Sequence, residues 1–256
     1  MIAAILGASS GIGYEVGRAL QAGGHQLILI GRDRSRYREL LTSDDHFVEC
    51  ELAVLASVAT ATETITRKFP QLDLLINNAG TAGRRGVTID GFELAFAVNY
   101  LSHYLLTRLL GNPRRVVNVS SEAHRGVTDL DPDQGLGPTR SLLGWREYQY
   151  SKAAQIAFTH SLVSRGFDAY SVHPGVIATN LWRRVPAVVL GPLTRRMKPP
   201  AAGALPVLRA ATDTALDAGD YVTPRGVIAP TPLVSNPEVA ERLWQQSEKW
   251  VANYLP

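Results

Sequence analysis

The chain has 256 residues, of which 45% are hydrophobic and 19% are charged, and its formal net charge is +3. This balance is typical of a globular protein with a sizeable core, and it excludes a disordered or low-complexity chain. The single cysteine, Cys50, excludes an intrachain disulfide and suits a reducing compartment. Metal-ligand spacing, nucleic-acid modules and bilayer-spanning stretches are not recognisable. We therefore expect a soluble, cytoplasmic protein with no metal site, no nucleic-acid partner and no membrane anchor.

Apolar strands and amphipathic helices alternate along the chain. The predicted strands span residues 2–6, 26–31, 46–50, 72–76, 114–120 and 168–173. The predicted helices lie near 11–23, 33–41, 55–69, 91–111, 146–165 and 201–215, and Asn236 and Pro237 begin a last helix. Such alternation predicts an α/β fold, a doubly wound parallel sheet with helices on both faces. No linker interrupts it, so we expect a single domain over residues 1–256.

A glycine-rich turn, residues 7–13, joins the first strand to the first helix. Its spacing is Gly-x-x-x-Gly-x-Gly, with glycines at Gly7, Gly11 and Gly13. Glycines let the backbone approach a pyrophosphate closely, and free amides at a helix start attract the anion. The pattern alone also fits an ordinary tight turn, but between a buried strand and a helix it indicates dinucleotide binding.

The end of the second strand bears on which dinucleotide binds. In this type of fold an acidic residue there accepts the ribose hydroxyls of NAD, whereas an arginine pairs with the 2′-phosphate of NADP. Arg32 holds this position and Arg36 follows one turn later, although Asp33 is acidic and adjacent. We expect NADP(H) as the cofactor, with NAD(H) the less favoured alternative.

Tyr148 and Lys152 are four positions apart on a predicted helix, so their side chains share one face. A nearby ammonium favours the phenolate, so Lys152 is expected to lower the pKa of Tyr148 and make it an acid/base near neutral pH. Tyr150 has Ala154 four positions later and lacks this cation.

Two further strands end in polar motifs, Asn77-Asn78-Ala79-Gly80 and Ser120-Ser121. Together with the glycine-rich turn and the Tyr148/Lys152 pair, they make nearly the whole chain resemble the short-chain dehydrogenase/reductase family. Residues 88–93, 98–103, 118–124 and 171–175 resemble its retinol-dehydrogenase branch most. The resemblance implies a Rossmann fold and an oxidoreductase that transfers hydride between a nicotinamide and a carbonyl or alcohol.

The resemblance also implies roles for individual residues. The catalytic set would be Asn99, Ser121, Tyr148 and Lys152, with Ser121 preferred to Ser120 because it is the second of the pair. The cofactor would be held by Gly7, Ser9, Ser10, Gly11, Ile12, Gly13, Arg32, Glu51, Leu52, Asn78, Ala79, Gly80, Tyr148, Lys152, Pro174, Gly175, Val176, Ile177 and Thr179. Two positions depart from the family pattern. Leu6 stands where a threonine usually links the turn to the Asn-Asn-Ala-Gly strand, and Glu51 stands where an aspartate is usual.

Two segments outside the alternation, 122–147 and 180–200, are expected to form the substrate walls. The second is rich in apolar residues with arginines between them, which predicts a mid-sized, largely apolar small-molecule substrate. Two alternatives remain open. A dehydratase, epimerase or cyclase could use the same tyrosine without net redox chemistry, and a regulatory protein could bind NADP without turnover, although such proteins usually lose the Tyr or Lys. A homo-oligomer is also left open.

Overall fold

The computed structural model describes residues 1–111, 113–178 and 197–255. Their strands form one eight-stranded sheet in the order β3-β2-β1-β4-β5-β6-β7-β8. The strands are β1 (Ile2–Leu6), β2 (Gln26–Gly31), β3 (His46–Glu49), β4 (Leu74–Asn77), β5 (Arg115–Val119), β6 (Ala169–Val172), β7 (Tyr221–Thr223) and β8 (Gly226–Val227). All neighbours pair in parallel except β7 and β8, which are antiparallel. The doubly wound parallel sheet is confirmed, with one antiparallel edge strand added.

The helices follow the predicted alternation closely. They are α1 (Gly11–Ala22), α2 (Leu55–Lys68), α3 (Leu94–Phe96, Ala97–Leu101 and Ser102–Leu109 in continuous succession), α4 (Trp145–Val163), α5 (Pro200–Thr212), α6 (Pro232–Ser235) and α7 (Pro237–Val251). The middle section of α3 is a π-helix. None of the helices in the described ranges combines the length and hydrophobicity that crossing a bilayer requires.

The sheet separates two hydrophobic cores, because successive side chains of a strand point to opposite faces. On β1, Ala4 and Leu6 join the core that includes α2, α3, α4 and α7, while Ala3 and Ile5 join the core with α1 and α5. Asn236 caps α7 by accepting from the Glu238 amide, as predicted. The buried face of α7 then packs on α4, the helix that carries Tyr148 and Lys152.

One predicted helix is wrong, and two short strands were not predicted. The helix expected at 33–41 is only one 3₁₀ turn, Arg34–Tyr37, because Asp33 binds the Ser35 amide and Tyr37 donates its hydroxyl back to the Ile30 carbonyl of β2. The short strands β7 and β8 were not predicted, since two or three residues give no measurable periodicity.

The segment 122–147, expected to be one of the substrate walls, follows β5 and runs into the first turn of α4. It folds into the 3₁₀ turns Glu122–Gly126, Pro132–Gly135 and Leu142–Gly144. Its middle packs against the start of α3, where the Gly135 carbonyl accepts from the Glu93 amide at 2.9 Å. Most of the segment therefore covers α3 and α4.

Candidate active site

A groove of about 770 Å³ runs along the carboxyl edge of the parallel strands. Parallel strands of an open α/β sheet bind ligands at this edge. Most of the residues predicted to hold the cofactor line it: Gly7, Ser9, Ser10, Gly11, Ile12, Arg32, Glu51, Leu52, Asn78, Ala79, Gly80, Tyr148, Lys152, Pro174, Gly175 and Ile177. Ser121 lines the same groove, whereas Gly13, Asn99 and Val176 do not. Thr179 lies outside the described residues.

The glycine-rich turn is held against the end of β4 by close backbone contact. Gly7 has a φ of +78°, and a Cβ there would lie 2.8 Å from the Ala79 Cα. A Cβ on Gly13 would lie 2.4 Å from the Asn78 side-chain nitrogen. That nitrogen donates to the carbonyls of Leu6 and Gly7 at 3.2 and 2.9 Å. Asn78 thus makes the link to the turn that Leu6 cannot make, and Gly13 gives it room.

Charged residues surround the groove where it passes the end of β2. Asp33 accepts from the amide and hydroxyl of Ser35 at 2.9 and 2.6 Å, and these bonds lower its pKa. Arg32 pairs with Glu51 at 3.5 Å, with both side chains largely exposed. Arg36 also lines the groove. One carboxylate oxygen of Asp33 is therefore occupied locally, while Arg32 and Arg36 present positive charge.

Tyr148, Ser121 and Lys152 meet at the other end of the groove. Burial raises the pKa of Tyr148 to about 12, and a hydrogen bond with the Ser121 side chain acts in the opposite direction. Burial lowers the pKa of Lys152 to about 7. The expected lowering of the Tyr148 pKa by Lys152 is not found. The ammonium lies 5.8 Å from the Tyr148 ring centroid and donates instead to the Val119 carbonyl and to Gln155, at 2.9 and 2.8 Å.

The two serines after β5 point in different directions, as alternation on a strand predicts. The Ser120 hydroxyl donates to the Lys152 carbonyl at 2.7 Å and ties α4 to β5. Ser121 bonds to Tyr148 and also accepts from the Ala123 amide at 3.2 Å. The structure therefore brings Ser121 to Tyr148 and gives Ser120 a structural contact.

Asn99 lies in the π-helical section of α3 and is fully buried. Its amide nitrogen donates to the Thr81 carbonyl and the Ser151 hydroxyl, at 3.0 and 2.9 Å, and its oxygen accepts from the Thr81 amide at 2.7 Å. Asn99 thus holds the loop after β4 against α4, behind the surface of the groove. Its bonds satisfy the expectation that a polar residue inside this helix needs partners.

Sequence reasoning missed several residues of the site. Ala82, Leu94 and Val98 add apolar surface to the groove. The ring of Trp145 stacks on Tyr148, with centroids 5.5 Å apart and an interplanar angle of 28°. Apolar spacing on α3 was visible in the sequence, but nothing there showed that the loop after β4 leaves this face open.

Two residues near the catalytic positions have structural contacts. His124 is fully buried against the Tyr221 ring, its Nδ1 lies 2.7 Å from the Ser121 carbonyl, and burial lowers its pKa. Tyr150 donates its hydroxyl to the Asp131 carbonyl at 2.6 Å. Neither lines the groove.

Solved structures share this architecture. An uncharacterized protein from Mycobacterium Paratuberculosis superposes with a TM-score of 0.80 at 28% identity, covering 98% of this chain and 93% of that one. A blue fluorescent protein from a metagenomic library, in complex with NADPH, gives a TM-score of 0.66 at 23% identity over 87% of this chain and 95% of that one. The fold is thus the expected Rossmann type.

Sequence comparison identifies the family. The family model for short chain dehydrogenases matches residues 1–129. Retinol dehydrogenase 13 of Homo sapiens is 32% identical, and the match covers 98% of this chain and 85% of that protein. This chain belongs to the short-chain dehydrogenase family and is similar to its retinol dehydrogenases.

Proposed function

We propose that this protein is an NADP(H)-dependent oxidoreductase that transfers hydride between the nicotinamide and a carbonyl or alcohol of a mid-sized, largely apolar small molecule. One observation carries the proposal. A single groove joins the glycine-rich turn, the arginines after β2 and the Tyr148/Ser121/Lys152 group. A dinucleotide that spans the groove would bring its nicotinamide ring to Tyr148. Among the described residues, Tyr148 is the only tyrosine of the groove lining that lies beside a lysine.

The groove fits a dinucleotide at two further places. At the glycine-rich turn, Gly7 and Gly13 allow the close packing against Ala79 and Asn78 that holds the backbone of the turn at the groove, where it can approach a pyrophosphate. At the end of β2, Arg32 and Arg36 offer donors to a 2′-phosphate, while Asp33 is engaged with Ser35. Proteins of the same fold were solved with NADPH and with NADH. The charges at the end of β2 are therefore what favours NADP(H) over NAD(H).

The bound nicotinamide supplies or accepts the hydride, and the chain's own residues handle the proton. Tyr148 is neutral over the physiological pH range because its pKa is raised, so its hydroxyl can donate a proton to a carbonyl oxygen. Ser121 bonds to Tyr148 and would hold the same substrate oxygen. Lys152, held by Val119 and Gln155, would bind the nicotinamide ribose. Asn99 keeps the loop beside them in place.

The apolar part of the groove lining supports the proposed substrate class. Ala82, Leu94 and Val98 line the groove, and Trp145 adds a half-exposed ring stacked on Tyr148. Pockets of this composition select apolar ligands and orient them with few polar groups. The apolar segment 180–200, with Arg183 and Arg184, falls almost wholly outside the described residues, so its part in the pocket stays a prediction.

The test measures the turnover of a panel of ketones and aldehydes of graded size, and the loss of NADPH absorbance monitors the reaction. We expect reduction of mid-sized apolar carbonyls, with NADPH preferred to NADH. Tyr148→Phe should lose about 10²–10⁴-fold in kcat with NADPH binding retained. Tyr150→Phe, two positions away on the same helix, is the matched control and should keep its activity.

Two outcomes would contradict the proposal. Conversion of a substrate without net change in the cofactor would favour a dehydratase, epimerase or cyclase. Full activity of Tyr148→Phe would remove the tyrosine from the chemistry.

A further inference from the structure

A chain of three polar side chains lies behind the groove, buried in the core between β5, α3 and α4. It consists of Lys152, Gln155 and His103, and is called the buried string below. All three are buried, with Gln155 and His103 at zero exposure. Neither Gln155 nor His103 lines the groove, and the catalytic roles proposed above make no use of His103.

The direction of each hydrogen bond in the buried string is fixed by chemistry. A protonated lysine only donates, so the Gln155 oxygen accepts from the Lys152 ammonium, at 2.8 Å. The Gln155 amide nitrogen must then face the other way, where it lies 3.1 Å from His103 Nδ1. Because that nitrogen donates, Nδ1 accepts, and the proton of a neutral His103 sits on Nε2.

The surroundings of His103 keep it neutral. Burial and the charge of Lys152 lower its pKa to about 3. Its Nε2 has no hydrogen-bond partner among the described residues. Tyr148 is a titratable neighbour of Lys152, its ring centroid 5.8 Å from the ammonium, and burial is what lowers the Lys152 pKa. A neutral acceptor is therefore available to Gln155 at neutral pH.

The buried string leaves Lys152 one donor to use in the groove. An ammonium has three N–H bonds, and the Val119 carbonyl takes one of them at 2.9 Å. Gln155 takes the second. The third remains for the groove that Lys152 lines, and its direction is set once the other two are fixed.

We propose that Gln155 and His103 are positioning residues that hold the Lys152 ammonium in one orientation and keep it protonated near neutral pH. The effect on catalysis rests on the proposed function. The effect on the orientation and protonation of Lys152 does not. Gln155 stabilises the charged form directly by accepting from it. His103 acts through Gln155, because it holds the amide with its oxygen toward the lysine.

The physical content can be tested without substrate or cofactor. The chain has four lysines, so ¹³Cε-lysine labelling gives four signals, and Lys152→Arg assigns the one from Lys152. We expect Gln155→Leu to lower the Lys152 pKa, so that the protonation constant of Lys152 falls tenfold or more. His103→Phe should shift it less, in the same direction. Gln155→Glu, which differs from the native side chain by one group, should raise it because a carboxylate favours the ammonium.

Kinetic and binding measurements test the consequence. Gln155→Leu should lower kcat about tenfold at pH 7, weaken NADPH binding measured by fluorescence titration, and leave KM for the carbonyl unchanged. Its pH profile should move with the Lys152 titration. Ser161→Ala is the matched control, since it removes another buried hydrogen bond of α4, to the Ala240 carbonyl at 3.0 Å, away from the string. Its pH profile should be that of the native protein.

The outcomes separate the two proposals. An unchanged Lys152 titration in both Gln155→Glu and His103→Phe would overturn the positioning role, even in a fully active enzyme. If Gln155→Leu does not fold, those two variants decide. If the titrations shift as expected but no carbonyl is reduced, the positioning role stands and the proposed function fails.

Discussion

Replacing Lys152 by methionine should inactivate the protein and make its stability depend less on pH. Burial lowers the Lys152 pKa from 10.5 to about 7, so the unfolded chain binds more protons between these values and stability rises with pH through this window. Below pH 7 the buried charge costs at most about 5 kcal/mol, at about 1.4 kcal/mol per pKa unit. Methionine removes that cost but leaves the Val119 and Gln155 oxygens without their donor, at roughly 1–3 kcal/mol each. At pH 6 we therefore expect the stability of Lys152→Met to differ from that of the native protein by between a loss of about 1 kcal/mol and a gain of about 3 kcal/mol.

The signature of this effect is its dependence on pH. At pH 9 Lys152 of the folded native protein is largely neutral. The free energy of unfolding of Lys152→Met relative to the native protein should therefore be lower at pH 9 than at pH 6, by about 2–3 kcal/mol. Urea unfolding of both proteins at the two pH values measures the difference. Lys249→Met, at an exposed position of α7, is the control and should show no such change. A stability difference for Lys152→Met that is equal at pH 6 and pH 9 would refute the reasoning.

Three further predictions concern the groove. Arg32→Asp should narrow or reverse the preference for NADPH over NADH. Glu51→Gln should tighten NADPH binding by up to about fivefold, because it removes the carboxylate that competes for Arg32. Equal affinities of the native protein for NADPH and NADH would count against both expectations. Gly13→Ala should destabilise the protein by about 1–3 kcal/mol in urea unfolding and weaken cofactor binding, since its Cβ would collide with the Asn78 side chain. Ser121→Ala should lower kcat by about 10²-fold, while Ser120→Ala, which loses only a bond to the Lys152 carbonyl, should affect stability more than rate.

The sheet and the composition of the groove could be predicted because their signals are local. Each parallel strand is a short apolar run, and the residue that follows it necessarily lies at the carboxyl edge. The positions of Arg32 and Asn78 follow from this rule, whereas Ser121 was preferred to Ser120 on the family resemblance, and the structure places all three on the groove. The cytoplasmic location, the single domain and the assembly state stay predictions.

The electrostatics of the site could not be predicted, because they depend on contacts between distant segments. The spacing of Tyr148 and Lys152 indicated an ammonium close to the phenol, but it could not show that Val119 and Gln155 draw the ammonium away. His103 comes from another helix, 52 positions from Gln155, so their contact could not be predicted from the sequence around either residue. Burial, which dominates both pKa values, is likewise a property of the assembled core.

The packing of α7 has a consequence for how the enzyme is made. Ser161 of α4 donates to Ala240, Arg165 just beyond it lies over the Trp244 ring at 3.9 Å, and Tyr100 of α3 bonds to Ser247, 147 residues later in the chain. The helix that carries the acid/base pair is therefore synthesised after the glycine-rich turn, Arg32, Asn78 and Ser121, and it is covered only when residues 237–251 have followed. During translation α4 should leave the ribosome with an uncovered apolar face, and the active site should mature only after α7 has emerged to cover it.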